Sequence, residues 1–421
     1  MVQMDFIHVY GGISLQGKVR IQGSKNAALP ILAATVLTRE ENVIRNCPKI
    51  ADVYHMLTLL KSLGCRISRE KEGVCIDASM AGMHSMPAEA ITGMRSSLCL
   101  LGVLIGRTGE VTMEYPGGCV IGTRPIDLHL KALSAMGVKF TEEGGKIKGT
   151  TPDGLHGTEI TMERSSVGAT QNIILAAVTA QGDTVIHGAA KEPEVQELCR
   201  YLQKCGADIE GIGTSQLVIK GGRRLYGTEY AIPADRIVAG TYLFTCMSTG
   251  GNVLLEEAPI QQMQAELELA GQMGAECQVT KEGLYVQAPE KPKAVKKVET
   301  LPYPGFPTDL QSVVLTAATQ ADGECLIQEN IFENRFRTVP YLQSMGADIT
   351  CLSANRVLVR GKTPLCGKAA QVLELRGGAA LTAAGLAAKG ETILYGCEYI
   401  ARGYENICRD LRELGARIYS L

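Results

Sequence analysis

A chain of 421 residues, 45% apolar and 20% charged with a net charge of −2, has the composition of an ordinary globular protein of two or three domains. No basic excess points to nucleic acid or an anionic membrane, and the longest uncharged apolar run, Leu98 to Gly106, is too short to span a bilayer. The fourteen cysteines form no CxxC pair and the six histidines no HExxH, so metal-ligand spacing is absent. The opening MVQMDFIHVY lacks the basic-then-apolar pattern of a secretory signal. Many thiols without an export signal place the chain in the reducing cytoplasm.

In chain order, an alanine- and leucine-rich stretch recurs. It reads NAALPILAATVLTREENVI from Asn26, VGATQNIILAAVTAQGDTVI from Val167, LQSVVLTAATQADGECLI from Leu310 and GGAALTAAGLAAKGETIL from Gly377. Each predicts a helix that is apolar nearly all round, hence buried, running into a strand. Interleaved with these is a second signal, a helix end followed by an alternating strand: LKSLGCRI, LSAMGVKF, LQKCGADI, AGQMGAECQV, LQSMGADI and LRELGARI. Its glycines, at 64, 137, 206, 274, 346 and 415, stand about 70 residues apart and read as helix C-caps. Six such units fill the chain, and strands alternating with helices make it α/β. Three units and three units divide it near Ile232 and Pro233.

The apolar helices begin on polar residues: Ser24-Lys25-Asn26, Arg95-Ser96, Ser166, Asp235-Arg236, Thr308-Asp309 and Arg376. Ser166 and Thr308 suit N-caps. Lysine and arginine at a helix N-terminus oppose its dipole, and their presence at four of the six starts points to a bound anion. Between the second and third helix starts lies PGGCVIGTRPIDLH, residues 116–129. Its glycines allow close backbone approach to a ligand, and Arg124 near Cys119 favours a reactive thiol. Taken alone, Cys119 reads more readily as one more small buried hydrophobe, like most of the other thirteen cysteines.

That loop, with GSKNAALP at 23–30, SSVGAT at 165–170, FPTDLQ at 306–311 and FENRF at 332–336, resembles the UDP-N-acetylglucosamine enolpyruvyl transferase family across the whole chain. The resemblance implies two similar inside-out α/β barrel domains, each of three repeats, with the active site in the cleft between them. The first lobe is residues 24–233, and the second is residues 1–23 with 234–421. It implies transfer of the enolpyruvyl group of phosphoenolpyruvate to the 3-OH of UDP-N-acetylglucosamine, with release of phosphate, for peptidoglycan synthesis. No metal or organic cofactor is implied, the partners are these two small molecules, and the chain is cytoplasmic. Cys119 is implied as proton donor and Asp309 as base, with Lys25 and Arg402 also catalytic. Lys25, Arg124 and Arg402 match positions that hold phosphate and carboxylate, as bidentate guanidinium pairing suits. Arg95, Arg335 and Arg376 match other substrate positions. The nucleotide sugar is implied to lie against Asn26, Arg95, Arg124, Pro125, Ile126, Asp127, Leu128, Arg164, Ser165, Ser166, Val167, Asp309 and Ile331. His129 reads as loop-ordering.

The C-terminal third departs from the family pattern. Glu374 replaces an aspartate, Ala401 an aspartate, Tyr399 a histidine, Val238 a glutamate, and Asp410 falls near a lysine position. These departures keep two alternatives open: a paralogue that binds a sugar nucleotide without catalysing transfer, and transfer to a related acceptor. A sister enzyme acting on shikimate 3-phosphate is disfavoured by the cysteine loop and by Lys25-Asn26.

Overall fold

A computed structural model describes residues 6–70, 73–83, 85, 95–114 and 126–420. The chain forms two compact units, one made of the described residues among 23–233 and the other joining residues 6–22 to 234–420. Each holds its own apolar core. Among the described residues no helix is long and apolar enough to cross a membrane.

The buried helices form as their composition dictates. In Gln311–Gln320 all ten residues are buried, and in Arg236–Thr249 every residue from Arg236 to Ser248 is. Leu375–Ala387 is buried from Arg376 to Leu386, and these three helices pack on one another. In the other unit, Lys25–Ala34 is buried from Ala27 onward and Val167–Ala177 from Ala169 onward. The strands outside them alternate in burial, as in Glu41–Arg45, Asp183–His187 and Phe6–Tyr10, so each sheet lays one face on the core. All six helix-end glycines take the left-handed backbone, with φ of 97°, 101°, 103°, 97°, 108° and 84° in chain order.

One sheet plan recurs. A short edge strand runs parallel to a central strand, which pairs antiparallel with a third, and that with a fourth. The unit spanning 23–233 has Glu229–Ala231, Glu41–Arg45, Gly73–Asp77, Arg66–Glu70 in this order, and likewise Glu159–Thr161, Asp183–His187, Gln216–Lys220, Asp208–Glu210. Its third sheet is Glu110–Glu114, Lys146–Thr150, Lys139–Glu143, with a parallel bridge from Ser85 to Thr112 at the edge position. The other unit repeats the plan in Leu15–Arg20, Gly251–Glu256, Gly283–Gln287, Glu276–Val279 and in Lys297–Glu299, Gly323–Gln328, Arg356–Gly361, Asp348–Ser353. Its last sheet is Ala369–Gln371, Glu391–Tyr395, Phe6–Tyr10, Arg417–Ser420.

One expectation is corrected here. Among the described residues the sheets do not close into barrels: each is a separate ladder of three or four strands. Each unit takes an edge strand from far away in the chain: Glu229–Ala231 returns onto Glu41–Arg45, and the early strand Leu15–Arg20 lies beside Gly251–Glu256.

Candidate active site

Asp309 lies in the single 3-10 turn Thr308–Leu310 that leads into helix Gln311–Gln320. Neither Thr308 nor Asp309 caps that helix, contrary to the sequence reading of Thr308. Asp309 instead accepts from two guanidinium groups, Arg335 Nη2 at 2.7 Å on Oδ1 and Arg376 Nη2 at 3.2 Å on Oδ2. Both arginine side chains are nearly buried, at 3% and 6% exposure, while that of Asp309 keeps 24%. The carboxylate is therefore the part of the triad that a ligand can reach.

The surroundings fix this triad. Glu374 caps helix Leu375–Ala387, accepting from the amides of Arg376 (2.8 Å) and Gly377, and its Oε2 lies 3.7 Å from Arg335 Nη1. A Cβ at Gly377 would sit 2.7 Å from Glu374 Oε1, so the glycine makes this cap possible. Burial pulls the pKa of Arg376 down, but Asp309 first, then Tyr404 and Asp235, outweigh it and hold the guanidinium above its ordinary range. Glu329, buried at 2%, accepts from the amides of Ile331 (2.8 Å) and Phe332 (3.0 Å) and from the Thr308 hydroxyl (2.9 Å). It thus joins the turn carrying Asp309 to the loop carrying Ile331, and the Phe332 ring packs under Arg335 at 5.1 Å. Arg402 ends the turn Cys397–Arg402, and Gln22 holds the backbone beyond it, donating to Gly403 O (3.1 Å) and accepting from Glu405 N (2.8 Å).

The other unit carries the remaining expected residues. Lys25 opens helix Lys25–Ala34, capped by Ser24, and its Nζ lies 2.7 Å from Asp52 Oδ2. Asn26 beside it is half-buried. Ser166 caps Val167–Ala177, Ser165 is exposed and Val167 half-buried. Arg164 meets Asp127 at 3.0 Å, both more than half exposed, a pair worth at most ~1 kcal/mol and readily redirected to a ligand. Ile126 and Leu128, on either side of Asp127 in the chain, are buried. Leu128, Lys131, Ala132, Met162 and Glu163 are among the residues lining an adjacent cavity of about 140 Å³. Cys119, Arg124 and Pro125 lie outside the described residues, and Arg95 is described by its backbone alone.

The cations at helix starts find carboxylates of the protein itself: Asp52 for Lys25, Glu266 for Arg236 at 3.5 Å, and Asp309 for Arg376. The dipole argument for a bound anion therefore fails at Arg236, which is buried with its partner. Asp410 faces Tyr242 and Arg409: its Oδ2 accepts from the Tyr242 hydroxyl at 2.7 Å and its Oδ1 from Arg409 Nη2 at 2.8 Å. Val238 is fully buried. Among the described residues no group of three or more His, Cys, Asp or Glu could hold a metal ion.

The family of EPSP synthase (3-phosphoshikimate 1-carboxyvinyltransferase) matches residues 9–411. The chain belongs to this family. Among its curated relatives, UDP-N-acetylglucosamine 1-carboxyvinyltransferase 2 of Caldanaerobacter subterraneus subsp. tengcongensis is 42% identical over 99% of both chains. UDP-N-acetylglucosamine 1-carboxyvinyltransferase of Methylacidiphilum infernorum is also 42% identical, covering 99% of this chain and 100% of its own. The fold is that of the enolpyruvyl transferase NikO from Streptomyces tendae, at TM-score 0.87, 24% identity and 98% of each chain. EPSP synthase from Acinetobacter baumannii shares it at TM-score 0.73 and 21% identity, over 98% of this chain and 99% of the other. Within the EPSP synthase family, the partners Asp52, Glu329 and Gln22 escaped sequence reading. Nothing in the local pattern marks a carboxylate that will meet a lysine on another helix or the amides of the loop that follows it.

Proposed function

We propose that the chain is a UDP-N-acetylglucosamine 1-carboxyvinyltransferase, transferring the enolpyruvyl group of phosphoenolpyruvate to the sugar 3-OH and releasing phosphate. The observation that carries this reading is 42% identity along essentially the full length to relatives of that name, with all five motifs in order. The reaction needs a proton delivered to the methylene carbon, a proton removed from the attacking hydroxyl, and cations that hold carboxylate and phosphate. The carbon–oxygen bond forms at the central carbon as the methylene carbon becomes a methyl group; a proton from that methyl group and phosphate then leave, restoring the double bond. Asp309 is the base, the accessible carboxylate of its triad, and Cys119 is the proton donor. Lys25, Arg124 and Arg402 take the anionic groups, while Arg164 and Ser165–Val167 take the nucleotide sugar. The proposal draws residues from both units, calls for no cofactor, and has the chain act in the cytoplasm on small molecules in peptidoglycan synthesis. The finer architecture belongs to it too: lobes 24–233 and 1–23 with 234–421 that together supply the substrate contacts.

Phosphate release from phosphoenolpyruvate decides between readings. It is expected with UDP-N-acetylglucosamine and not with shikimate 3-phosphate. Release only with a different sugar nucleotide would establish another acceptor, and binding without release would make the chain a binding paralogue.

A further inference from the structure

One buried polar cluster in the unit spanning 23–233 is not used by the mechanism above. Asn172, 1% exposed in helix Val167–Ala177, is its centre. The Gly102 amide can only donate, and it lies 2.7 Å from Asn172 Oδ1, which fixes which way round the side-chain amide sits. The approach is close: a Cβ on Gly102 would stand 2.3 Å from the Asn172 carbonyl oxygen. Asn172 Nδ2 then faces three groups, His129 Nδ1 at 2.9 Å, Leu98 O at 3.1 Å and Gly168 O at 3.3 Å. An amide NH2 only donates, so His129 Nδ1 must accept, and the neutral imidazole carries its proton on Nε2.

His129 is itself buried, at 6%, in the first turn of helix Asp127–Ala135. Its ring edge lies against Gly168, where a Cβ would meet Cε1 at 3.1 Å and Nε2 at 3.3 Å. The histidine therefore spans two helix starts, the one bearing Asp127 and Leu128 and the one following Arg164, Ser165 and Ser166. These are the segments assigned to the nucleotide sugar, and Asp127 and Arg164 meet across them.

We propose that His129 is a positioning residue for the nucleotide-sugar acceptor, a neutral imidazole fixed in its Nε2–H form by Asn172 that sets the spacing of the two helix starts. The proposal rests on the acceptor assigned above. Its selectivity should appear in the kinetics, because phosphoenolpyruvate is assigned to other side chains. His129→Phe keeps an aromatic ring at the site and removes the acceptor. It should raise KM for UDP-N-acetylglucosamine about tenfold, with kcat and KM for phosphoenolpyruvate within about threefold. His129→Asn restores an acceptor at the Nδ1 position and should bring KM back to within about threefold. Nitrogen-15 NMR of the imidazole in the unsubstituted protein should find Nδ1 bare and Nε2 protonated. A protonated Nδ1 overturns the proposal, as does a His129→Phe variant that melts normally with unchanged acceptor KM. So does equal loss toward both substrates, or a His129→Asn variant no better than His129→Phe. An unsubstituted protein that releases no phosphate with UDP-N-acetylglucosamine overturns the functional reading and the acceptor role with it, and the NMR result stands independently as the measure of the tautomer.

Discussion

Asp309 draws one guanidinium from 26 residues on and another from 67 residues on, and each takes a different oxygen. Asp309→Asn keeps the shape but removes the charge and the base. Its kcat should fall 10²- to 10⁴-fold in the phosphate-release assay, and the melting temperature should fall as well, because two nearly buried guanidinium groups lose their shared carboxylate. Asp410 is a different kind of carboxylate, 2% exposed and bound to a buried tyrosine hydroxyl. Asp410→Lys would set an ammonium beside Arg409 and leave Tyr242 facing a cation. We expect a loss of ~3–5 kcal/mol in stability, read by denaturant titration, and a change in KM for phosphoenolpyruvate below tenfold. A large gain in affinity would show that the side chain reaches the substrate. Thiol reactivity separates in the same way. Burial raises most of the described cysteines, as with Cys99 and Cys199, both pushed up to about 12, whereas Cys351 and Cys366 are exposed. Brief treatment with the epoxide fosfomycin, followed by mass mapping, should label Cys119 ahead of those two. Preferential labelling of Cys351 or Cys366 would count against the assignment.

At the scale of helices and strands, what the sequence made legible is what local chemistry dictates. The glycines at 64, 137, 206, 274, 346 and 415 could be read as helix ends because a left-handed residue tolerates few side chains. The helix Gln311–Gln320 could be read as buried because it carries no charged residue. Asp309, Arg335 and Lys25 stood out through their motifs, but which side chains pair with which did not. Arg335 and Glu374, or Lys25 and Asp52, meet because separate elements are packed together, and no periodicity encodes that. The closing strand Glu229–Ala231 was equally hidden, since its partner Glu41–Arg45 lies almost two hundred residues earlier. Packing also restricts the helix glycines. Gly102→Ala would force two buried helices apart against the Asn172 carbonyl, costing ~1–3 kcal/mol in thermal or denaturant unfolding.

For the whole molecule, the cysteines tie stability to pH. The usual thiol value is 9.0, and burial raises Cys99, Cys199 and Cys246 to about 12. The unfolded chain gives up these protons from about pH 9, while the folded chain keeps them to about 12. Stability is therefore undiminished by these groups below pH 9 and falls as pH rises from 9 toward 12, because the unfolded chain releases these protons first. Melting temperatures recorded from pH 8 to 11 should drop steadily above 9, and Cys199→Ala should flatten the slope. A flat profile would show that these thiols ionise as freely in the fold as out of it.

The strand Phe6–Tyr10 has as its neighbours Glu391–Tyr395 and Arg417–Ser420. On the ribosome, it must wait for almost the entire chain before either partner exists. The unit spanning 23–233 has no such delay, because its returning strand at 229–231 completes it when little more than half the chain has been made. Synthesis therefore imposes an order, with the inserted unit folding first and the enclosing one last. Arrested nascent chains ending near residue 270 should already protect the inserted unit from protease, while residues 6–22 remain cleavable until the final strand emerges.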